Sequence, residues 1–363
     1  MAHPKRIGIL TGGGDCPGLN AVIRAVVKTA VNDYKMEVVG FLDGFQGLVE
    51  NRFINLGVNE ASGILTHGGT ILGTTNRYDP FNYPVLLDGK THYTNRSKTV
   101  VQNCENLGLE ALVCIGGDGT MTVAHKISGQ GIPVVGVPKT IDNDLYGTEI
   151  TFGFDSALTT ATEAIDKIHT TARSHHRVMI VEVMGRYAGW LALGSGIAGG
   201  GDIILIPEIP YNIESVCNKI KERSYQGRHF SILVVGEGAK SKDGEMVVKE
   251  LVEGSPEPIR LGGIGNNVAD DIEKLIQSET RVIVLGHLLR GGIPTPTDRL
   301  LATQYGVTAA KLIAERKYGL MVALKQGKIS NVPIEEIAGK TRIIPPDSPL
   351  LSVARSVGTC LGE

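Results

Sequence analysis

Short runs of apolar, mostly β-branched residues recur along the chain, and half of them are followed directly by glycine. Residues 5–11, 37–41, 111–115 and 133–137 have this character, and residues 178–183, 203–206, 231–235 and 281–285 repeat it later. The runs are continuous rather than alternating, which is how strands buried on both faces of a parallel sheet read. Helical spacing fills the gaps. It predicts helices over 18–31, 95–107 and 298–315. A further helix, capped by Asp155 or Ser156, carries the apolar face Ala157, Ala161, Ala164, Ile165 and Ile168. Strands alternating with helices predict an α/β protein with mainly parallel sheets. The polar stretch 79–95 reads as an exposed insertion, and the tail after 315 has a mixed pattern.

The chemistry lies where these runs stop. Two stretches dominate: Gly116-Gly117-Asp118-Gly119-Thr120, and Pro138-Lys139-Thr140-Ile141-Asp142-Asn143-Asp144. Open α/β sheets bind ligands at the carboxyl ends of their strands. Glycines there let backbone N–H groups approach a phosphate, and a following helix N-terminus favours negative charge. Asp118, Asp142 and Asp144 are carboxylates in loops expected to face one another, a combination that suits phosphate, Mg²⁺ and a base. The turn Gly12-Gly13-Gly14-Asp15 between the first strand and helix is a further phosphate-binding arrangement, although it is neither G-x-G-x-x-G nor a Walker loop. Residues 67–77, rich in Gly and Thr and ending in Arg77, offer hydroxyls and a cation. In the second half Arg186, Glu237, His287 and Arg290 also follow strands. Strand ends from two domains facing each other would enclose a cleft with a phosphate donor on one side and an acceptor on the other.

Composition narrows the class. A chain of 363 residues is long for one core and favours two domains. A formal net charge of −2 argues against bulk nucleic-acid binding. The five cysteines lack metal-site spacing, and Cys114, inside an apolar run, reads as a small core residue. Neither a signal peptide nor an apolar run of membrane-spanning length is legible, so a soluble cytoplasmic protein is expected, with no membrane or nucleic-acid partner.

The ordered set of glycine turn, G-G-D-G-T, P-K-T-I-D-N-D, S-H-H-R, M-G-R and G-H-L-L-R-G-G resembles the 6-phosphofructokinase family, from about Arg6 to the helix after Asp298. G-G-D-G-T alone is weak, being shared with NAD kinases and diacylglycerol kinases. P-x-T-I-D-N-D followed by M-G-R is specific. The resemblance implies two Rossmann-like domains with the active site in the cleft between them. Residues 1–153 plus about 289–340 would form the larger, donor-nucleotide domain. Residues 154–288 plus the C-terminal tail would form the smaller, sugar-phosphate domain. It implies a glycolytic kinase acting on fructose 6-phosphate, with ATP as co-substrate, Mg²⁺ as cofactor and allosteric control. Asp142 would be the base for the sugar 1-hydroxyl, and Thr140 and Arg186 would steady the transferring phosphoryl. Asp118 and Asp144 would be Mg²⁺ partners. Gly13, Arg77, Asp118, Gly119, Thr120 and Lys139 would meet the donor. Met184, Gly185, Arg186, Glu237, His287 and Arg290, with Thr140 and Asp142, would hold the sugar phosphate. Arg177 and Arg281 resemble residues lent by a neighbouring subunit, so a homodimer or homotetramer with a shared site is implied.

The donor markers disagree. Gly119 is the choice of ATP users, because a carboxylate there would repel an α-phosphate. Lys139 is the pyrophosphate-like choice, and Val123 replaces a glycine common under the adenine. The leading expectation is ATP; a pyrophosphate-dependent enzyme and a non-catalytic sugar-phosphate-binding subunit are the alternatives. Arg24 and Lys28 resemble cations of the family's regulatory site, Asp202 matches an acidic position there, and His169 stands where arginine is common.

Overall fold

The runs of apolar residues do become parallel strands. A computed structural model describes residues 5–242, 244–251 and 259–363; residues 1–4, the start of the expected donor domain, lie outside them. In chain order the first part holds β1 (Arg6–Thr11), α1 (Leu19–Tyr34), β2 (Glu37–Phe41), α2 (Phe45–Glu50) and β3 (Phe53–Asn55). β4 (Tyr83–Leu87), β5 (Lys90–Thr94), α3 (Ser97–Asn106), β6 (Ala111–Gly116), α4 (Asp118–Ser128) and β7 (Val134–Pro138) follow. The next part holds α5 (Phe154–His175), β8 (Val178–Val183), α6 (Trp190–Ala198), β9 (Ile203–Leu205), α7 (Ile213–Tyr225) and β10 (Ser231–Gly236). After these come β11 (Val248–Leu251), β12 (Ile259–Leu261), α8 (Ile264–Ile276) and β13 (Thr280–Val284). The chain ends with α9 (Pro296–Ala314), β14 (Leu320–Lys325), β15 (Lys328–Pro333), α10 (Ile334–Ile337) and α11 (Pro349–Ser356).

Two sheets result. The larger has seven strands in the order β15-β14-β7-β6-β1-β2-β3, parallel except for its edge strands β3 and β15. The smaller has four, β13-β8-β10-β9, all parallel. Every residue of β6 and β10 is buried, as expected for strands covered by helices on both faces. One hydrophobic core is continuous between the sheets. It joins Ile9 and Val113 to Val181 and Val234 through Val22, Ile165, Leu191 and Tyr305 of the intervening helices. Further cores lie on the outer face of each sheet. The buried carboxylate in β8, Glu182, is satisfied by the N–H groups of Gly263 (3.0 Å) and Gly265 (2.8 Å). Among the described residues no helix is long and apolar enough to cross a membrane.

Three expectations change. Neither Asp155 nor Ser156 caps α5: Gly153 does, in the left-handed region with φ 96°. The two polar residues instead tie α5 to the start of α9. Asp155 Oδ2 accepts from Thr295 Oγ1 at 2.5 Å, and Asp298 Oδ2 accepts from Ser156 N–H at 2.8 Å and its hydroxyl at 2.6 Å. Residues 79–95 are exposed only in part. They contain the hairpin β4–β5, turned by Asp88 (φ 52°) and Gly89 (φ 74°), and Tyr83 is buried with its hydroxyl on Glu50 Oε1 at 2.6 Å. The mixed tail forms a second such hairpin, β14–β15, turned by Gln326 (φ 50°) and Gly327 (φ 70°), and it extends the larger sheet.

Tyr305, on α9, is fully buried, and its hydroxyl donates to the Ile150 carbonyl at 2.7 Å. Tyr305→Phe removes the shorter of the two hydrogen bonds to that carbonyl, which keeps only the Thr148 hydroxyl at 3.1 Å. We expect a loss of about 1–2 kcal/mol, read as a lower urea midpoint, at unchanged turnover.

Candidate active site

The glycine turn after β1 is the floor of the site. Gly12 N–H donates to the Ile115 carbonyl (2.8 Å), which fixes the turn to the end of β6. Gly13 has φ 76° and Gly12 lies against Thr120, with no room for a Cβ at Gly12. Thr120, on the first turn of α4, also fills the space over Gly116 and is buried. The loop 67–77 closes over this turn. Thr74 Oγ1 donates to the Gly13 carbonyl (2.7 Å), Gly13 N–H to Thr75 O (3.2 Å) and Thr11 Oγ1 to Gly73 O (2.7 Å). Arg77 ends the loop and is exposed.

Lys139 is 5% exposed; its Nζ donates to the Gly14 carbonyl, and its own N–H donates to Gly116 O at 3.0 Å. The Arg290 guanidinium arrives from the other sheet. It lies where a Cβ on Gly14 would be, and its Nε is buried without a hydrogen-bond partner among the described residues. A guanidinium donor held this way beside a glycine turn and a lysine is prepared for an anion.

The loop after β7 is held rigidly. Asp142 N–H donates to Thr140 Oγ1 (3.1 Å). Asn143, at φ 52°, accepts from Thr151 N–H (3.0 Å), and Thr151 Oγ1 donates to the Thr140 carbonyl (2.7 Å). Asp142 and Asp144 are thereby half-exposed while Ile141 and Asn143 are buried anchors. Asp118 is the first residue of α4 rather than a loop residue, and its Oδ1 accepts from Gly339 N–H at 2.8 Å. Gly119 follows it on the helix, half-exposed. Val123, one turn further along α4, is 3% exposed in the outer core of the larger sheet.

Across the cleft, Met184, Gly185 and Arg186 follow β8, and Glu237 follows β10. Gly185 has φ 136°, and Gly238 packs against the Arg186 carbonyl too closely for a side chain. Burial pushes the Glu237 carboxyl above its ordinary range, while Arg186, the Gly185 N–H and Arg290 oppose the shift. His287 is exposed on the short turn Gly286–Arg290, which Leu289 anchors in the core.

Arg177 and Arg281 lie elsewhere. Arg177 immediately precedes β8 and Arg281 is the second residue of β13, so both sit at the amino ends of the strands. Met184 follows the far end of β8, about 20 Å away at the usual rise per residue. Both arginines meet one carboxylate: Glu279 Oε1 is 2.9 Å from Arg177 and 2.5 Å from Arg281. Asp202 is paired with Arg223 at 2.7 Å, and His169 Nε2 lies 2.6 Å from the Gly199 carbonyl. Arg24 and Lys28 are half-buried on α1.

Among the described residues no group of three or more His, Cys, Asp or Glu could hold a metal ion. Asp118 and Asp144 still offer hard oxygen donors, and the segment 339–342 touches both: Arg342 N–H donates to the Asp144 carbonyl at 2.7 Å. Few carboxylates, with phosphates and water completing the shell, is the donor set that suits Mg²⁺. Four cysteines are buried, and Cys16, beside the glycine turn, is pushed by burial up to about 12, so it is no nucleophile. Two features escaped sequence reasoning. The contact of Gly14 with Arg290 was signalled only by the third glycine of the turn, and the contacts of residues 339–342 lie in a tail with no motif.

The family model described as Phosphofructokinase matches residues 6–313. An ATP-dependent 6-phosphofructokinase 2 of Clostridium perfringens is 53% identical over the full length of both chains. ATP-dependent 6-phosphofructokinases of Spirochaeta thermophila (99% of this chain, 98% of that one) and Synechocystis (all of both) are 48% and 49% identical. Among solved structures, phosphofructokinase from Saccharomyces cerevisiae superposes with a TM-score of 0.76 at 31% identity; it covers 92% of this chain, which spans 45% of that one. A pyrophosphate-dependent phosphofructokinase from Nitrosospira multiformis shares the fold, with a TM-score of 0.80 at 19% identity, covering 95% of this chain and 87% of that one.

Gly14→Ala tests the close approach. The obstructing atoms are the mobile end of Arg290, so the fold should survive with little change in melting temperature. The displaced guanidinium should lose its anion. We expect kcat/KM to fall about tenfold or more, the scale of one lost charge-assisted contact; an unchanged value would show that Arg290 binds nothing from this position.

Proposed function

The chain belongs to the phosphofructokinase family, and on that premise we infer its reaction: transfer of the γ-phosphoryl of ATP to the 1-hydroxyl of fructose 6-phosphate, giving fructose 1,6-bisphosphate and ADP in glycolysis. The observation that carries this reading within the molecule is the meeting of Gly13, Gly14, Lys139 and Arg290 at the facing carboxyl ends of two sheets. The pyrophosphate-dependent and non-catalytic alternatives gain no support. The relatives near half identity are named as ATP-dependent, and the triad Asp118, Asp142 and Asp144 is intact.

The chemistry divides between the two sheets. Residues 1–153 with about 289–340 would serve as the donor lobe, and residues 154–288 with the C-terminal tail as the sugar-phosphate lobe, with Arg290 at their boundary on the turn after β13. Gly13, Gly119, Thr120, Arg77 and Lys139 receive the donor phosphates. Asp118 and Asp144 would hold Mg²⁺, which when bound neutralises phosphate charge. Asp142 takes the proton of the 1-hydroxyl. Its backbone N–H on Thr140 Oγ1 and the Asn143–Thr151 contacts keep it aimed. Thr140 and Arg186 steady the phosphoryl in flight, where charge rather than covalent help is needed. Met184, Gly185, Glu237, His287 and Arg290 hold the sugar phosphate. A cytoplasmic location accords with glycolytic work.

Arg177 and Arg281 cannot serve this chain's own cleft from the amino ends of β8 and β13. Arg281 is exposed and Arg177 partly so, and we assign them to the 6-phosphate bound by a neighbouring copy. A homodimer or homotetramer with shared sites follows. Arg281→Ala is expected to raise the KM for fructose 6-phosphate about tenfold or more while changing kcat little, because the contact is equally strong in ground and transition states. Light scattering with the assay on dilution completes the test: full activity in monomers would end the shared-site assignment.

The function itself is tested by a coupled assay with fructose 6-phosphate and either MgATP or Mg-pyrophosphate. Turnover with MgATP and little with pyrophosphate is expected. Asp142→Asn should bind both substrates yet lose about 10² or more in kcat, the scale of a missing general base. Near-normal turnover in that variant would remove Asp142 from the mechanism.

A further inference from the structure

Residues 339–344 form a strap to which none of the roles above assigns a task, yet it touches both halves of the site. On the donor side Gly339 N–H donates to Asp118 Oδ1 (2.8 Å), Thr341 bridges Leu145, and Arg342 N–H donates to the Asp144 carbonyl (2.7 Å). The Arg342 side chain goes further: its Nη1 donates to the Asn143 carbonyl at 2.9 Å. On the sugar-phosphate side its guanidinium lies 4.0 Å from the centre of the Trp190 ring, and Trp190 Nε1 donates to the Arg342 carbonyl at 3.0 Å. Trp190 opens α6, four residues after Arg186. Two residues along the strap, Ile344 N–H donates to Glu208 Oε1 (2.9 Å), and the same carboxylate accepts from Gly189 N–H at 3.1 Å.

We propose that Arg342 is a positioning residue: clamped between the Asn143 carbonyl and the Trp190 ring, it sets where the Asp142 loop stands relative to the sugar-phosphate half. The inference rests on the reading of Asp142 as the base. Asn143 is the immediate neighbour of Asp142 and sits in the left-handed region, so its carbonyl direction determines where the loop points. A planar cation suits the clamp, because one face stacks on the indole while the edge donates. Burial pulls the Arg342 pKa below its ordinary value, and Glu149 and Asp144 oppose that shift. A base misplaced by about 1 Å costs on the order of 10² in rate, which is the leverage such a clamp has.

Steady-state kinetics with MgATP and fructose 6-phosphate on the full chain test this. Arg342→Met should lower kcat about tenfold or more, with both KM values within about threefold and the melting temperature within a few degrees. Arg342→Lys should recover little, since an ammonium cannot stack flat and hold the Asn143 carbonyl together. Trp190 is the only tryptophan in the chain, so its emission reports the clamp directly. Adding fructose 6-phosphate with MgADP should shift it in the wild type. In Arg342→Met the shift should vanish, although calorimetry still records sugar-phosphate binding. If Arg342→Met does not fold, Arg342→Lys and Trp190→Phe carry the test, each expected to lower kcat at unchanged KM. The proposal is overturned by a kcat loss under about threefold, by a loss confined to KM, by full activity in Arg342→Lys, or by a lower melting temperature with unchanged kcat. A wild type inactive with MgATP would overturn the function itself, a result distinct from an active wild type indifferent to Arg342.

Discussion

A guanidinium and an ammonium held together in a cleft repel each other and lose water, so they persist only where backbone oxygens, carboxylates or an incoming anion compensate. The meeting of Lys139 and Arg290 at the Gly14 turn is that situation, and much of the molecule serves it. Lys139 arrives on the end of β7 and spends one bond on the Gly14 carbonyl. Arg290 arrives from the other sheet on a turn pinned by Leu289, and Gly14 lacks a side chain where the guanidinium lies. The continuous core between the sheets fixes the distance between these two arrivals. Without that core the cations would relax apart, and the cleft would lose the charge that draws phosphates.

The strands were legible because parallel strands buried on both faces admit little but aliphatic residues. The apolar run 178–183 coincides with β8, and 37–41 with β2. Helix starts were less legible. An acidic residue near an N-terminus suits both a cap and a tertiary contact, and at Asp155 and Ser156 the contact with α9 won because Gly153 already turned the chain. The hairpins at 83–94 and 320–333 were missed for another reason. Their turns, Asp88-Gly89 and Gln326-Gly327, are sound local signals, but the flanking segments mix polar and apolar residues and lack the long aliphatic runs of the central strands.

The placement of the candidate residues was legible wherever they follow a strand's carboxyl end. Thr140, Asp142, Arg186, Glu237 and Arg290 obey that rule of parallel sheets. What stayed hidden is contact between parts far apart in sequence. Nothing near Gly339 or Arg342 announces that the tail will hold Asp118, Asn143 and Asp144, because a backbone N–H donor carries no residue signature.

The charges at the amino ends of β8 and β13 follow a different logic. Arg177 and Arg281 share the single carboxylate Glu279, which leaves one positive charge of the pair in excess. Arg177 foremost holds the Glu279 carboxyl below its ordinary range, so this carboxylate stays ionised at neutral pH and masks half of the pair. Arg177 Nε remains buried without a hydrogen-bond partner among the described residues, a donor the ion pair does not use. An isolated chain has no reason to build this, since exposed ion pairs contribute little to stability. On the assignment proposed above, a dianion bound by another copy would supply one: it would take the unused donor and the excess charge together, while Glu279 keeps the two arginines from repelling before it arrives. Pre-ordering two cations around one carboxylate lowers the ordering cost of the contact, which is how a site split between chains can bind a small phosphate firmly.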